Sequence, residues 1–509
     1  MISKGNREMF SLSKSLERPK RRELLVFSIY IFFFTLVYAI MMRARFSVDS
    51  YANYYVTDGG IQNLKLGRVA NYVLLSILNH LNINIVKWQV VFTVLFVFAL
   101  AWSAKVLYRQ MASYTSNLQP KEKLFLLLAV AIAYTNVSIL EWFLFPEMAI
   151  FWACTVVTVT GSIYWFFREG HWAKYLISFG LLCMALSFYQ AAIGFYVVIG
   201  TSAILIKNGM QVTKETVKDY LIYYAIAGVA CIITIETLDI LVNLGIVPLT
   251  ERSPSFDISV VFSNILKVLK AQKTIWWDGM TFVPILIGAA LLVLLTVLVI
   301  ELKRAKPIRD MLLILLLLLI AYASVFAPHF LTHTFWMAPR TIYSFFSVVT
   351  LLSVLILYST NDFSRISAVL NSTLIILLVA NVMVIQQVTS DQVATNRLDQ
   401  EQAQQIMQCI EKYEHETGNE VLYISVQPDE HISYSYPGIN STYMDMNLRA
   451  LSVSWSAVKC LNYYSNGDFV SVKADREEHC SHFQKSDWDQ FVPDEQLQFE
   501  GSTMYWMIY

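Results

Sequence analysis

Charge is scarce in this sequence: Asp, Glu, Lys and Arg make up 15% of its 509 residues, where ordinary soluble domains carry roughly a quarter. The 38 basic and 38 acidic residues cancel, so no net field draws the chain toward nucleic acid or an acidic partner. Cysteine is sparse too. Its six cysteines include no C-x-x-C pair and no metal-ligand spacing, which sets aside zinc ribbons and dithiol redox enzymes. No internal repeat is visible, which argues against a transporter built from inverted halves.

What the sequence has in excess is apolar surface. Hydrophobic residues reach 56%, too much for one core, so they must be spread over segments that face lipid. Runs near the ~20 residues that cross a bilayer stand at 24–42, 86–108, 122–140, 147–167, 174–188, 190–206, 220–243, 281–300, 311–327, 341–358 and 368–387. They predict an all-α polytopic membrane protein of about eleven spans with a small C-terminal α/β or α+β domain. The run 24–42 is followed by Arg43 and Arg45 without a small-residue cleavage site, and reads as a signal-anchor. The expected division is a cytoplasmic segment 1–23, a multi-span domain 24–387 and a soluble domain 388–509.

Lysine and arginine placement orients the spans. Lys14, Arg18, Lys20, Arg21 and Arg22 precede the first, and alternate short loops carry Arg109 and Lys121, Arg168 and Lys174, Lys207 and Lys214, then Lys303 and Arg304. Those loops are expected in the cytoplasm, with the tail outside a bacterial inner membrane. Outside loops 43–85, 244–280 and 328–340 are longer, and long loops in compact proteins tend to be functional. Residues 69–81 and 260–269 within them read as amphipathic helices in the interface. In the tail, a helix around 396–416 precedes short strands, and Cys460–Cys480 is the pairing expected if a disulfide forms.

The outside loops hold the residues that can carry chemistry. Asp49 stands just beyond the first span, where partial desolvation would suit a general base; taken alone it more often reads as a solvated loop aspartate. Gly67-Arg68 opens the first interfacial helix, as a phosphate clamp or as an arginine snorkelling to lipid phosphates. Glu141 and Glu147 flank Trp142 at a membrane boundary, and Trp142 by itself fits the aromatic belt. Gln190 sits at a tight corner, either capping it or bonding a substrate. Lys267, Lys270 and Lys273 share a helix face before Trp277, for phosphate or for anionic lipid. His329 and His333 are four apart with no third ligand, so a metal is weakly indicated. Arg340 opens a span, a costly place for charge unless it meets a cavity or a phosphate.

Together Asp49, Gly67-Arg68, Ser187-Phe188-Tyr189-Gln190 and Ala338-Pro339-Arg340-Thr341 resemble the bacterial type II glucosyltransferases that modify O-antigen and related glycans. These are polytopic, lipid-sugar-dependent (GT-C) enzymes, and the resemblance covers about residues 24–387. It implies transfer of a hexose from an undecaprenyl-phosphate donor to a glycan acceptor, with inversion and without an indicated cofactor. Asp49 would be the base, Arg68, Arg340 and Lys270 would hold the donor phosphate, and Glu147, Gln190, Trp277 and His333 would contact substrate. Asp49 stands alone where the family tends to begin this loop with adjacent carboxylates, which leaves sugar, acceptor and second carboxylate open. A glycan polymerase or ligase, or a lipid-sugar flippase, are the competing readings.

Overall fold

The computed structural model describes residues 23–55, 60–115, 118–254, 257–276, 280–360 and 362–509. Helix α1 (Glu23–Val37) runs into a 3-10 turn, Ala39–Met42. The first loop then folds into α2 (Val48–Tyr55), α3 (Gly60–Lys65) and α4 (Val69–His80). As its pattern suggests, α4 is amphipathic and too short to span: it buries Leu75 and Leu78 and exposes Val73 and Ile77.

Next come α5 (Gln89–Ala112) and α6 (Pro120–Tyr134). The run 122–140 is not one straight span, because the chain bends by 43° into α7 (Val137–Leu144). Asn136 causes the break. Its extended backbone cannot continue α6. Its side-chain amide donates to the Ile132 carbonyl at 3.0 Å while its oxygen accepts the Ile139 N–H at 3.1 Å, closing one helix and capping the next. The bend drives α7 inward, and all 8 of its residues are buried. Trp142 is therefore no belt residue: it stacks on Trp152 at 4.6 Å inside the core.

A 3-10 turn, Pro146–Met148, leads to α8 (Ala149–Phe167), α9 (Ala173–Phe188), α10 (Ala192–Lys207) and α11 (Lys214–Asn243). The second loop carries α12 (Ile258–Trp276), followed by α13 (Pro284–Ala305) and α14 (Ile308–Ser324). After α15 (Ala327–Phe330), a 3-10 segment, Pro339–Phe346, enters α16 (Ser347–Ser359). By length and composition six helices among the described residues can cross a bilayer, or seven if the bent α6–α7 pair is one span. This is below the expected number, since α1, α9, α10 and α14 are all shorter than a full span, with α9 and α10 only 16 residues each and α14 17. Within the apolar windows, 89% of the α16 unit is buried but only 33% of α11, α13 and the last long helix. So α16 is central and the others turn apolar faces outward, as lipid contact requires. The chain is a membrane protein.

That last helix, α17 (Phe363–Thr417), continues without interruption past residue 388, so the helix expected around 396–416 is its second half. Gly418 ends it in the left-handed region (φ 73°). The tail then forms β1 (Tyr423–Pro428), α18 (Ser454–Ser465), β2 (Val470–Val472), α19 (Arg476–Ser481), α20 (Pro493–Gln496), β3 (Leu497–Glu500) and β4 (Thr503–Ile508). The sheet order is β2-β1-β4-β3, with β1 parallel to β2 and β4 and a terminal β3–β4 hairpin. On α17, Asp391 accepts from Ser441 Oγ at 2.6 Å, and Asp399 accepts from the Tyr436 hydroxyl at 2.9 Å. All six cysteines are free thiols. The expected Cys460–Cys480 pair does not form, because Cys460 is buried on α18 and Cys480 packs in a separate apolar cluster with Trp488.

Candidate active site

A cavity of ≈ 810 Å³ opens where α2, the α3–α4 turn, the α9–α10 corner, the loop before α16 and the tail converge. That is the size of a small-molecule site. Asp49, Arg68, Glu147, Gln190 and Arg340 all line it, so five of the predicted residues meet although they span much of the chain.

Asp49 lies in the first turn of α2. Its carboxylate is open to the cavity but ringed by protein, and it accepts the Trp455 indole N–H at 3.3 Å. This enclosure pushes its pKa above the usual carboxylate range; Arg340 opposes the shift and Asp445 adds to it. Glu147 lies beneath, buried, accepting from Ser50 Oγ at 2.6 Å and Ser47 Oγ at 3.1 Å. Its oxygens thus hold the start of α2 and fix the direction in which Asp49 projects.

Arg68 is the residue just before α4. It follows Gly67, whose φ of 70° suits glycine. Gln190 clamps this turn, its amide donating to the Leu66 carbonyl at 2.7 Å. The guanidinium stands 5.1 Å above the Tyr189 ring, and its Nε has no protein partner among the described residues. Burial lowers its pKa, and nearby Arg340 and Arg252 lower it further. Such a group is short of negative charge.

Arg340 is held differently. It pairs with the fully buried Glu141, whose carboxylate also accepts the Arg340 backbone N–H at 2.5 Å, and it pairs with Asp445 of the tail at 2.7 Å. Its guanidinium packs over Phe145 at 4.4 Å and Trp336 at 4.7 Å. The bend at Asn136 is what delivers Glu141 to this pair.

Two other predicted residues, Lys270 and His333, stand apart. Lys270 is on the exposed side of α12 and does not line the cavity. His333 is also off the wall, although its neighbours Thr332 and Thr334 are on it. Trp277 lies outside the described residues. His329 does line the cavity; burial pushes its imidazole down to about 4, so it is neutral at pH 7. Among the described residues no three His, Cys, Asp or Glu gather as a metal site.

Among the wall residues that sequence reasoning missed are the polar or charged Arg252, Asp445, Trp455 and Lys459. Arg252 was readable in principle, as a cation in a long loop expected outside. The three tail residues carry no local motif.

The arrangement offers an enclosed carboxylate with a raised proton affinity beside arginine cations. It can take a proton from a hydroxyl while the cations accept an anionic leaving group. No curated protein matches the sequence. The family model described as Glucosyl transferase GtrII matches residues 38–357, which contain Asp49, Arg68 and Arg340, and the chain therefore belongs to the GtrII glucosyltransferase family.

Proposed function

We propose that this glucosyltransferase moves a hexose, glucose by its family, from an undecaprenyl-phosphate carrier to a cell-surface glycan on the outer face of the cytoplasmic membrane. The reading is supported above all by one observation: Asp49, Arg68 and Arg340 share a single cavity at the end of the apolar helices. Asp49 takes the proton of an acceptor hydroxyl as that oxygen attacks the anomeric carbon. The bond from that carbon to the phosphate oxygen breaks, and its electron pair leaves with the phosphate. Arg68, short of a counter-charge, meets the growing negative charge, where fixed cations in an enclosed site contribute most. Arg340 flanks it. One displacement at the carbon inverts its configuration. Glu147 and Gln190 act through Asp49 and Arg68, as positioning residues.

The test is transfer of labelled glucose from undecaprenyl-phosphate-glucose by the purified protein in lipid nanodiscs. Transfer that collapses in Arg68→Ala, with the donor KM raised, supports the reading. A donor KM unchanged in Arg68→Ala would sink the phosphate assignment.

A further inference from the structure

The wall of the cavity formed by the tail consists of Asp445 and two residues of α18, Trp455 and Lys459. Four residues apart, Trp455 and Lys459 share one helix face. Trp455 is 58% exposed at the exposed start of α18, while Ser456, Ala457 and Val458 that follow it are buried. Tryptophan is highly buried on average. Its indole N–H reaches Asp49 at 3.3 Å, so it borders the carboxylate that would activate the acceptor.

Its placement is rigid. On the same helix the Tyr464 hydroxyl shares a hydrogen bond with Tyr51 of α2 at 2.9 Å, and Tyr463 packs edge-on against Tyr54 at 5.0 Å. Thus α2, carrying Asp49, and α18, carrying Trp455, are locked together by aromatic rings. An open indole face fixed beside the base is an apolar platform of pyranose-ring size with a polar handle at its edge.

We infer that Trp455 and Lys459 form the acceptor subsite, a step that rests on the transferase reading above. The indole face carries a sugar ring of the acceptor glycan. Lys459 donates to its hydroxyl groups or acidic substituents, and the indole N–H steers Asp49 toward the hydroxyl that is glucosylated. A carrier lipid reaches the cavity from the apolar helices, which leaves the soluble tail's wall to a polymer arriving through water. The matched family region ends at residue 357, so acceptor choice resides in a part of the chain distinct from the part that defines the family.

The experiment uses the full-length protein in nanodiscs, undecaprenyl-phosphate-glucose, and polysaccharide purified from cells lacking the protein. Trp455→Ala should raise the KM for polysaccharide about tenfold, as loss of one aromatic anchor does, with the donor KM unchanged. Trp455→Phe keeps a stacking ring but no N–H. It should retain an acceptor KM near wild type while its acid limb moves to higher pH, because the lost hydrogen bond favoured the ionised Asp49. Lys459→Ala should raise the acceptor KM and leave the donor KM alone. An acceptor KM unchanged in both Trp455→Ala and Lys459→Ala would overturn the subsite. Should Trp455→Ala fail to fold, Lys459→Ala decides it, and an acceptor KM unchanged there would overturn the subsite. No transfer by the wild-type protein would instead overturn the transferase reading, and the subsite with it, before any variant is compared.

Discussion

Asp49 is a carboxylate enclosed by protein, under the influence of the Arg340 guanidinium and of a second carboxylate, Asp445, which are themselves paired. Its raised pKa has two consequences of opposite sign. A general base must be ionised, so transfer should rise with pH through a midpoint above the ordinary carboxylate range, a profile that initial rates across pH 4–8 would show. For stability, a folded-state pKa above the unfolded one means the folded protein holds the proton more tightly. The stability Asp49 contributes is then present at low pH and lost as pH rises through the folded value. Asp49→Asn should therefore be inactive yet unfold no earlier than wild type at pH 7.5, as thermal unfolding in detergent would report. The Arg340 pairs divide by burial in a similar way. Glu141 is fully buried, so Glu141→Gln removes the buried partner of Arg340, leaves the cation only the part-exposed Asp445, and should cost about 3 kcal/mol of stability. Asp445 is about one-third exposed (34%), so Asp445→Asn should cost about 1 kcal/mol or less. Denaturant unfolding of the two variants, compared side by side, checks the ranking.

Among the elements, short irregular pieces set the site while long helices only carry it. The turn before α4 needs Gly67 in the left-handed region and Gln190 bonded across to Leu66. Gln190→Ala should cost about 1 kcal/mol and raise the donor KM, with kcat at saturating donor little changed, because Gln190 orients Arg68 rather than touching the reacting atoms. Steady-state kinetics with varied donor would separate the two constants. The amphipathic α4 and the apolar helices were legible because burial imposes a helical period on the sequence. The α6–α7 bend was not. It contains neither proline nor glycine, and Asn136 within an apolar run is recognisable as a cap only once the neighbouring carbonyl and N–H are seen to meet it. Lysine spacing on α12 likewise specified a face of that helix but not what the face looks onto, and Lys270 is exposed and does not line the cavity.

Across the whole molecule, α17 is the mechanical link: one helix of 55 residues carries the chain from its last apolar window into the tail. A break there should uncouple the tail wall from Asp49. Ser390→Pro, at an exposed position in mid-helix, should cost about 3 kcal/mol locally. The protein is expected to remain in membranes while its tail becomes sensitive to added protease and transfer is lost. The convergence of Asp49, Arg68 and Arg340 could be anticipated because the lysine and arginine pattern puts all three in loops expected on one side of the membrane. The tail's part could not be. Asp445 meets Arg340 across 105 residues, and Trp455 meets Asp49 across 406. Such contacts are set by tertiary packing, which leaves no periodic trace in a single sequence.

The measurement that bears most directly on the central claim is glycan composition in cells carrying Asp49→Asn, set against deletion and wild type with membrane levels of the protein matched. The account predicts that deletion removes one side-branch glucose and that Asp49→Asn reproduces that loss in full. A glycan altered in chain length instead of branching would point to a polymerase, and an Asp49→Asn strain indistinguishable from wild type would contradict the assignment of the base.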